Sequence, residues 1–222
     1  MSKPSPTSQQ TPERVQEHFQ SAASSFDELY TDEPAESVLQ RLLRPGLFRR
    51  AEAAVSLSAS LENARVLDVG CGSGRVGERV LDAGAGEYVG IDFSASMLEL
   101  AERRLTRFGE RVSLVQGDFL EQPLEGRFDL ILALGLFDYI EQPHLFTRRM
   151  YALCSGVVLA SFPAWTWIRG PIRKIRYEWI NDCPIFNYTE RELELLFSAT
   201  GFERIAVEEF TRGGYLVRAG RC

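Results

Sequence analysis

Histidine is scarce in this chain: His18 and His144 are the only two among 222 residues. Cysteine is little commoner, and Cys71, Cys154, Cys183 and Cys222 form no C-x-x-C pair and lie near neither histidine. That spacing excludes zinc fingers, zinc ribbons and a disulfide framework, and no metal centre is expected. No apolar stretch reaches the roughly 18 residues that a membrane-spanning helix needs, so no integral membrane span is expected. The opening MSKPSPTSQQTP lacks the apolar core of a secretory signal. Basic charge is in deficit, with 25 Lys and Arg against 31 Asp and Glu and a net charge of −6. A globally acidic chain is a poor binder of nucleic acid, and no nucleic-acid partner is expected. These absences leave a reduced, cytoplasmic, globular protein as the expectation.

What is present is a change of period along the chain. Residues 1–12 are Ser, Thr, Pro and Gln with no apolar repeat and read as a disordered tail. Val15, Phe19, Ala22, Ala23 and Phe26 then recur at helical spacing, as do Val38, Leu39, Leu42 and Leu43. A further helix follows Pro45-Gly46 to about Ser60, which makes 13–60 a helical segment ahead of a domain over 61–222. From Arg65 the period shortens. Arg65–Val69, Tyr88–Asp92, Val112–Val115, Phe128–Leu134 and Val157–Ala160 read as strands, separated by helices over 74–81, 94–109 and 143–153. Thr189-Glu190-Arg191-Glu192 is a capping box, and the helix it opens ends at Gly201. Strands over 202–210 and 215–218 close the chain. Apolar strands alternating with helices indicate a parallel sheet covered on both faces, and the last pair, with no helix between, pairs antiparallel. Residues 163–188 form a long aromatic and basic insertion, a length that usually carries function.

The first strand runs into Asp68-Val69-Gly70-Cys71-Gly72-Ser73-Gly74. Glycines there let the backbone turn sharply and approach a ligand, at the head of a helix with free N–H groups. Asp68 lies at that strand's end, Asp92 ends the second strand and Asp118 follows the third, so three strand tips deliver carboxylates to one edge of the sheet. An acid at the second tip suits ribose hydroxyls. The bland alternative has Asp68 and Asp118 capping turns. Gly72-Ser73-Gly74-Arg75-Val76-Gly77 also fits the dinucleotide pattern of an NAD(P)-dependent oxidoreductase, though it starts late after the strand and Asp68 stands where that site prefers an apolar residue.

These residues resemble a family. Val66–Gly74 is similar to the first motif of the class I S-adenosylmethionine-dependent methyltransferases, Gly90–Leu98 to the second-strand motif, Gln116–Phe119 to the third and Phe128–Ile131 to the fourth. The resemblance implies a Rossmann-like, doubly wound α/β domain whose seven strands run 3-2-1-4-5-7-6, the last antiparallel. It implies S-adenosyl-L-methionine as cofactor. Gly70, Gly72 and Gly74 would meet its methionine part, with Cys71 as a small fitting residue in the loop. Asp68 would orient the loop or the amino group, and Asp92 would accept from the ribose. Phe93 and Met97 would flank the adenine, Asp118 would accept from its amino group and Phe119 would donate from its backbone. Leu134 and Gly135 would sit near the sulfonium.

The expected reaction is methyl transfer to a small molecule, at oxygen. Leu134–Ile140 lacks the Asn/Asp-Pro-Pro-aromatic motif of the family's adenine and glutamine N-methyltransferases. Asp138, Tyr139 and His144, in or after that stretch, are the candidate catalytic residues. Phe26 and Tyr30 lie on an N-terminal helix where small-molecule members of the family place a lid. Trp165 and Arg173 in the insertion, with Tyr139, are further candidates for binding the acceptor. Ser161-Phe162-Pro163 resembles magnesium-protoporphyrin O-methyltransferases, which carry a His where this chain has Asp138. A catalytically inactive nucleotide-binding module is the remaining alternative.

Overall fold

A computed structural model describes residues 45–164, 186–211 and 214–221. The expected tail, the helices before Pro45 with Phe26 and Tyr30, and Trp165 and Arg173 lie outside the described residues. The described chain runs α1 (Pro45–Ala59), β1 (Arg65–Val69), α2 (Arg75–Asp82), β2 (Glu87–Asp92), α3 (Ala95–Leu105), β3 (Val112–Gln116), β4 (Phe128–Ala133), α4 (Pro143–Leu153), β5 (Cys154–Pro163), α5 (Glu190–Thr200), β6 (Arg204–Thr211) and β7 (Gly214–Gly220).

The sheet has seven strands in the order β3-β2-β1-β4-β5-β7-β6, as the family resemblance implied. β1 pairs in parallel with β2 and β4, and β3 and β5 continue the parallel set outward. β7 enters between β5 and β6 and runs antiparallel to both. β5 is longer than its apolar run suggested. Its seven residues from Val157 to Pro163 each face a residue of β7, so the partner strand sets its length.

Alternation along the strands builds two cores. Leu67, Val69, Ile131, Val158 and Phe162 face the layer that holds Met150 of α4 and Leu193 and Phe197 of α5. Val66, Leu130, Leu132 and Leu159 face the other way, toward Ala54 of α1, Val80 and Leu81 of α2 and Leu98 and Leu105 of α3. Helix ends follow local chemistry. Ser94 caps α3 by accepting from Met97 N, and Thr189 and Glu192 cap α5 reciprocally. The carboxyl ends of β1, β2, β3 and β4 lie together at one edge, and Arg50 of α1 reaches Ser161 of β5. Open parallel sheets bind ligands beyond that edge, at the point where strand order reverses between β1 and β4.

Candidate active site

The loop after β1 is a left-handed turn made three times over. Gly70, Gly72 and Gly74 have φ of 73°, 53° and 75°, a region costly for residues with a Cβ. Gly70 N and Cys71 N donate to Ile91 O at 2.8 and 3.1 Å, and Gly74 N donates to Cys71 O at 3.1 Å. On the far side, Arg104 of α3 donates to Ser73 O. The loop is therefore held by its own backbone, by β2 and by α3.

Asp92 ties that loop to its neighbour. Its Oδ2 accepts from Gly72 N and its Oδ1 from Ser94 N, both at 2.9 Å. Burial pushes its carboxyl upward in pKa, and the hydrogen bonds from Ser94, Gly72 and Phe93 oppose that. A carboxylate has about four acceptor positions, so these donors leave it capacity to accept from a ligand. Asp68 is buried one strand away, and its Oδ2 accepts from the Tyr88 hydroxyl at 2.8 Å. Burial lifts its pKa to about 7; the Tyr88 hydrogen bond works against the rise and the nearby charge of Asp92 adds to it. Cys71 is also buried, and burial with the charges of Asp68 and Asp92 keeps it a thiol. It fills space beside Gly90, where an added Cβ would lie 3.0 Å from its sulfur.

Asp118 stands at the third tip, joined to the second by Gly117 N donating to Asp92 O at 3.0 Å. It is exposed, and its Oδ1 accepts from Leu120 N at 2.8 Å. The turn-capping reading and the edge placement thus hold together. Phe93 is half-buried and Met97 buried in the first turn of α3. Phe119 is buried against Phe146, ring centroids 5.6 Å apart.

Across the switch point, Leu134 and Gly135 follow β4. Gly135, at φ 82°, donates to Ser161 Oγ at 2.8 Å, and Arg50 Nη1 donates to the same oxygen at 3.2 Å. A Cβ on Gly70 would lie 3.3 Å from Leu136 Cδ1, so the tips of β1 and β4 nearly touch. Asp138 and Tyr139 are half-buried in the next residues, and Phe186 N donates to Asp138 O at 3.1 Å. His144 is exposed in the first turn of α4. Three contributors escaped the sequence: Tyr88 behind Asp68, Arg50 with Ser161, and Tyr188. Tyr188 packs edge-on against Phe162, and its hydroxyl donates to Ile140 O at 3.4 Å. Burial raises its pKa, helped by the charges of Asp138 and Glu192. A cavity of about 270 Å³ opens beside it, lined in part by Glu141, Phe186 and Glu192.

The residues present fit the implied cofactor. A cradle of left-handed glycines borders two buried carboxylates, and one of them, Asp68, has an oxygen with no donor among the described residues. Among the described residues no helix is long and apolar enough to cross a membrane.

Comparison with known proteins gives the same family. The family profile described as "Methyltransferase domain" matches residues 66–155. The demethylmenaquinone methyltransferase of Staphylococcus aureus (strain JH9) is 31% identical over 182 residues, 67% of this chain and 72% of that one. The fold is similar to that of magnesium protoporphyrin IX methyltransferase from Synechocystis PCC 6803 with bound S-adenosylhomocysteine, with a TM-score of 0.76 and 20% identity over 95% of this chain and 100% of the other. It is also similar to 1,6-didemethyltoxoflavin-N1-methyltransferase from Burkholderia thailandensis, with a TM-score of 0.71 and 19% identity over 100% and 93% of the two chains. The dinucleotide reading of Gly72–Gly77 is thereby set aside. With four motifs at the strand tips, the sheet order and a relative of that identity, the chain belongs to the class I S-adenosylmethionine-dependent methyltransferases, and S-adenosylmethionine is its cofactor.

Proposed function

We propose that the protein transfers the methyl group of S-adenosylmethionine to an oxygen of a small-molecule acceptor. The cofactor supplies a methyl sulfonium, which is displaced in line by the acceptor's nucleophile. This chain's part is to hold both partners in line and to keep water out. On our reading Asp92 receives the ribose hydroxyls, the loop of Gly70–Gly74 backs the methionine part, and Asp118 with Phe119 N reads the adenine.

The observation that carries the oxygen assignment is Asp138. It sits half-buried in the short loop that also holds Leu134 and Gly135, with Tyr139 next to it and Tyr188 close enough to feel its charge. A hydroxyl is a weak nucleophile until a base takes its proton, and we assign that role to Asp138. The names of the similar proteins, which act on a menaquinone precursor, a porphyrin and a toxoflavin precursor, favour a small acceptor. Tyr139, with Phe26, Tyr30, Trp165 and Arg173 outside the described residues, would complete its pocket. The expected setting is the cytoplasm.

The test is transfer of labelled methyl from the cofactor to a fractionated small-molecule extract, with the product's acceptor atom identified. An O-methyl product supports the proposal and an N- or C-methyl product overturns it. Asp138→Asn should lower kcat/KM about a hundredfold and flatten the acid limb of the pH profile. Retention of both would remove Asp138 from the chemistry. Absence of methyl transfer to any acceptor, with S-adenosylhomocysteine still bound, would favour the inactive binding module.

A second reading is favoured by the likeness to the porphyrin enzyme over nearly the whole chain. On that reading the acceptor of this chain would be a carboxylate on a porphyrin-like molecule. A carboxylate needs no base, so Asp138→Asn would leave that reaction intact, and the product would be an alkali-labile methyl ester.

A further inference from the structure

Asp68 is a poorly compensated charge. It is 3% exposed, on the sheet face occupied by Val66, Leu130 and Leu132. Its Oδ2 accepts from Tyr88 at 2.8 Å, and among the described residues no second donor reaches it and no arginine or lysine pairs with it. A buried carboxylate held by one neutral hydroxyl is costly unless a cation joins it. The other groups around it offer none. Asp92 from β2 repels it, and Cys71 of the loop is a thiol. β4 presents Leu132 at the paired position. Arg50 of α1 is engaged by Ser161 and Gly46 O, and Glu78 of α2 pairs with Arg104 and Arg107.

Tyr88 has no exposed surface, and two glycines make room for it. A Cβ at Gly77 of α2 would run into its ring, and one at Gly90 would lie 3.1 Å from its Cε1. Phenylalanine would fill that space equally well. The hydroxyl therefore answers to Asp68 rather than to packing.

We propose that Tyr88 is a positioning residue for cofactor binding: its hydroxyl occupies Oδ2 of Asp68 and leaves Oδ1 as the acceptor for the cofactor's ammonium group. The proposal rests on the assignment of S-adenosylmethionine as cofactor. Because burial holds the Asp68 pKa at about 7 in the free protein, arrival of an ammonium ionises the carboxyl and its proton passes to the solvent. Tyr88→Phe removes the one contact that favours the ionised form, so the carboxyl holds its proton more tightly.

The experiment is calorimetry of the full chain with S-adenosylhomocysteine, from pH 6 to 9, in two buffers of different ionisation enthalpy. 5′-Methylthioadenosine, which has the nucleoside but no amino group, is titrated beside it. In the wild type, S-adenosylhomocysteine should tighten as pH rises through about 7 and should release a proton. Tyr88→Phe should weaken it about tenfold at neutral pH, shift the midpoint upward and converge with wild type at high pH. Methylthioadenosine should change by less than about twofold in the variant. Asp68→Asn should abolish both the pH dependence and the proton release, which keeps the test decisive if Tyr88→Phe folds poorly. An unshifted midpoint, equal losses for both ligands at every pH, or pH dependence retained in Asp68→Asn would overturn the proposal while leaving the cofactor assignment standing. A wild type that binds neither ligand would overturn both.

Discussion

Around β1 and β2 the crevice is walled by backbone amides, glycines and two buried carboxylates; beyond β4 it is flanked by stacked rings. On the first side the parts are close in sequence. Gly70–Gly74, Asp92 and Ser94 come from two adjacent strand ends, and their hydrogen bonds run directly from one tip to the next. On the second side Phe137 stacks on Phe162 at 4.2 Å, Phe162 meets Phe197 edge-on at 5.9 Å, and Phe197 meets Phe202 at 5.5 Å. Those rings come from β4's loop, β5, α5 and the approach to β6. The side of β1 and β2 is thus specified by backbone shape and a few charges, and the side beyond β4 by long-range packing, where a change of one ring moves everything it touches.

If the two sides are separable, damage to one should spare the other. The largest effect belongs to Phe137→Ala. Loss of a fully buried ring should cost about 3–5 kcal/mol of stability and lower Tm by roughly 10 °C. Affinity for S-adenosylhomocysteine, titrated well below Tm, should stay within about threefold; a collapse of affinity would show the two sides to be one unit. Next comes Asp92→Ala, which strips the acceptor from Gly72 N and Ser94 N. S-Adenosylhomocysteine binding by calorimetry should weaken roughly a hundredfold, and unchanged binding would remove Asp92 from the cofactor side. The smallest effect is on stability in the absence of ligand, through Asp68→Asn. The folded-state pKa of Asp68, about 7, lies above the ordinary carboxylate value of 3.8. Its contribution is therefore fully present below about pH 4 and lost as pH rises through about 7. Asn carries no charge to desolvate. At pH 8 the variant should melt measurably higher than the wild type, and at pH 4 it should gain nothing. A gain equal at both pH values would refute the buried ionisation.

The same division governs what could be read in advance. β1 and α4 match their expected spans, because a short apolar run before glycines and a proline-led amphipathic segment are local signals. The caps at Ser94 and Thr189 were visible for the same reason. The tips carrying Asp68, Asp92 and Asp118 followed from the spacing of strand ends. The apolar run of β5 covers only Val157–Ala160, because Cys154–Gly156 and Ser161–Pro163 become strand only through their partners. Tyr88 read as an ordinary β residue, since nothing in its own neighbourhood says that its hydroxyl meets a carboxylate on the adjacent strand. Arg50 lies 111 residues from Ser161, and Tyr188 lies 48 from Ile140. Contacts at such separations are set by the assembled fold, and no local pattern encodes them.

The strand order also places β3 and β6 at the outer margins of the sheet, where unpaired peptide groups invite another chain to add itself. β6 meets that hazard with exposed Arg204, Glu208 and Glu209, and β3 with exposed Ser113 and Gln116. A neighbour zipping onto either margin would have to strip water from these groups, which guards the sheet against open-ended stacking into fibres.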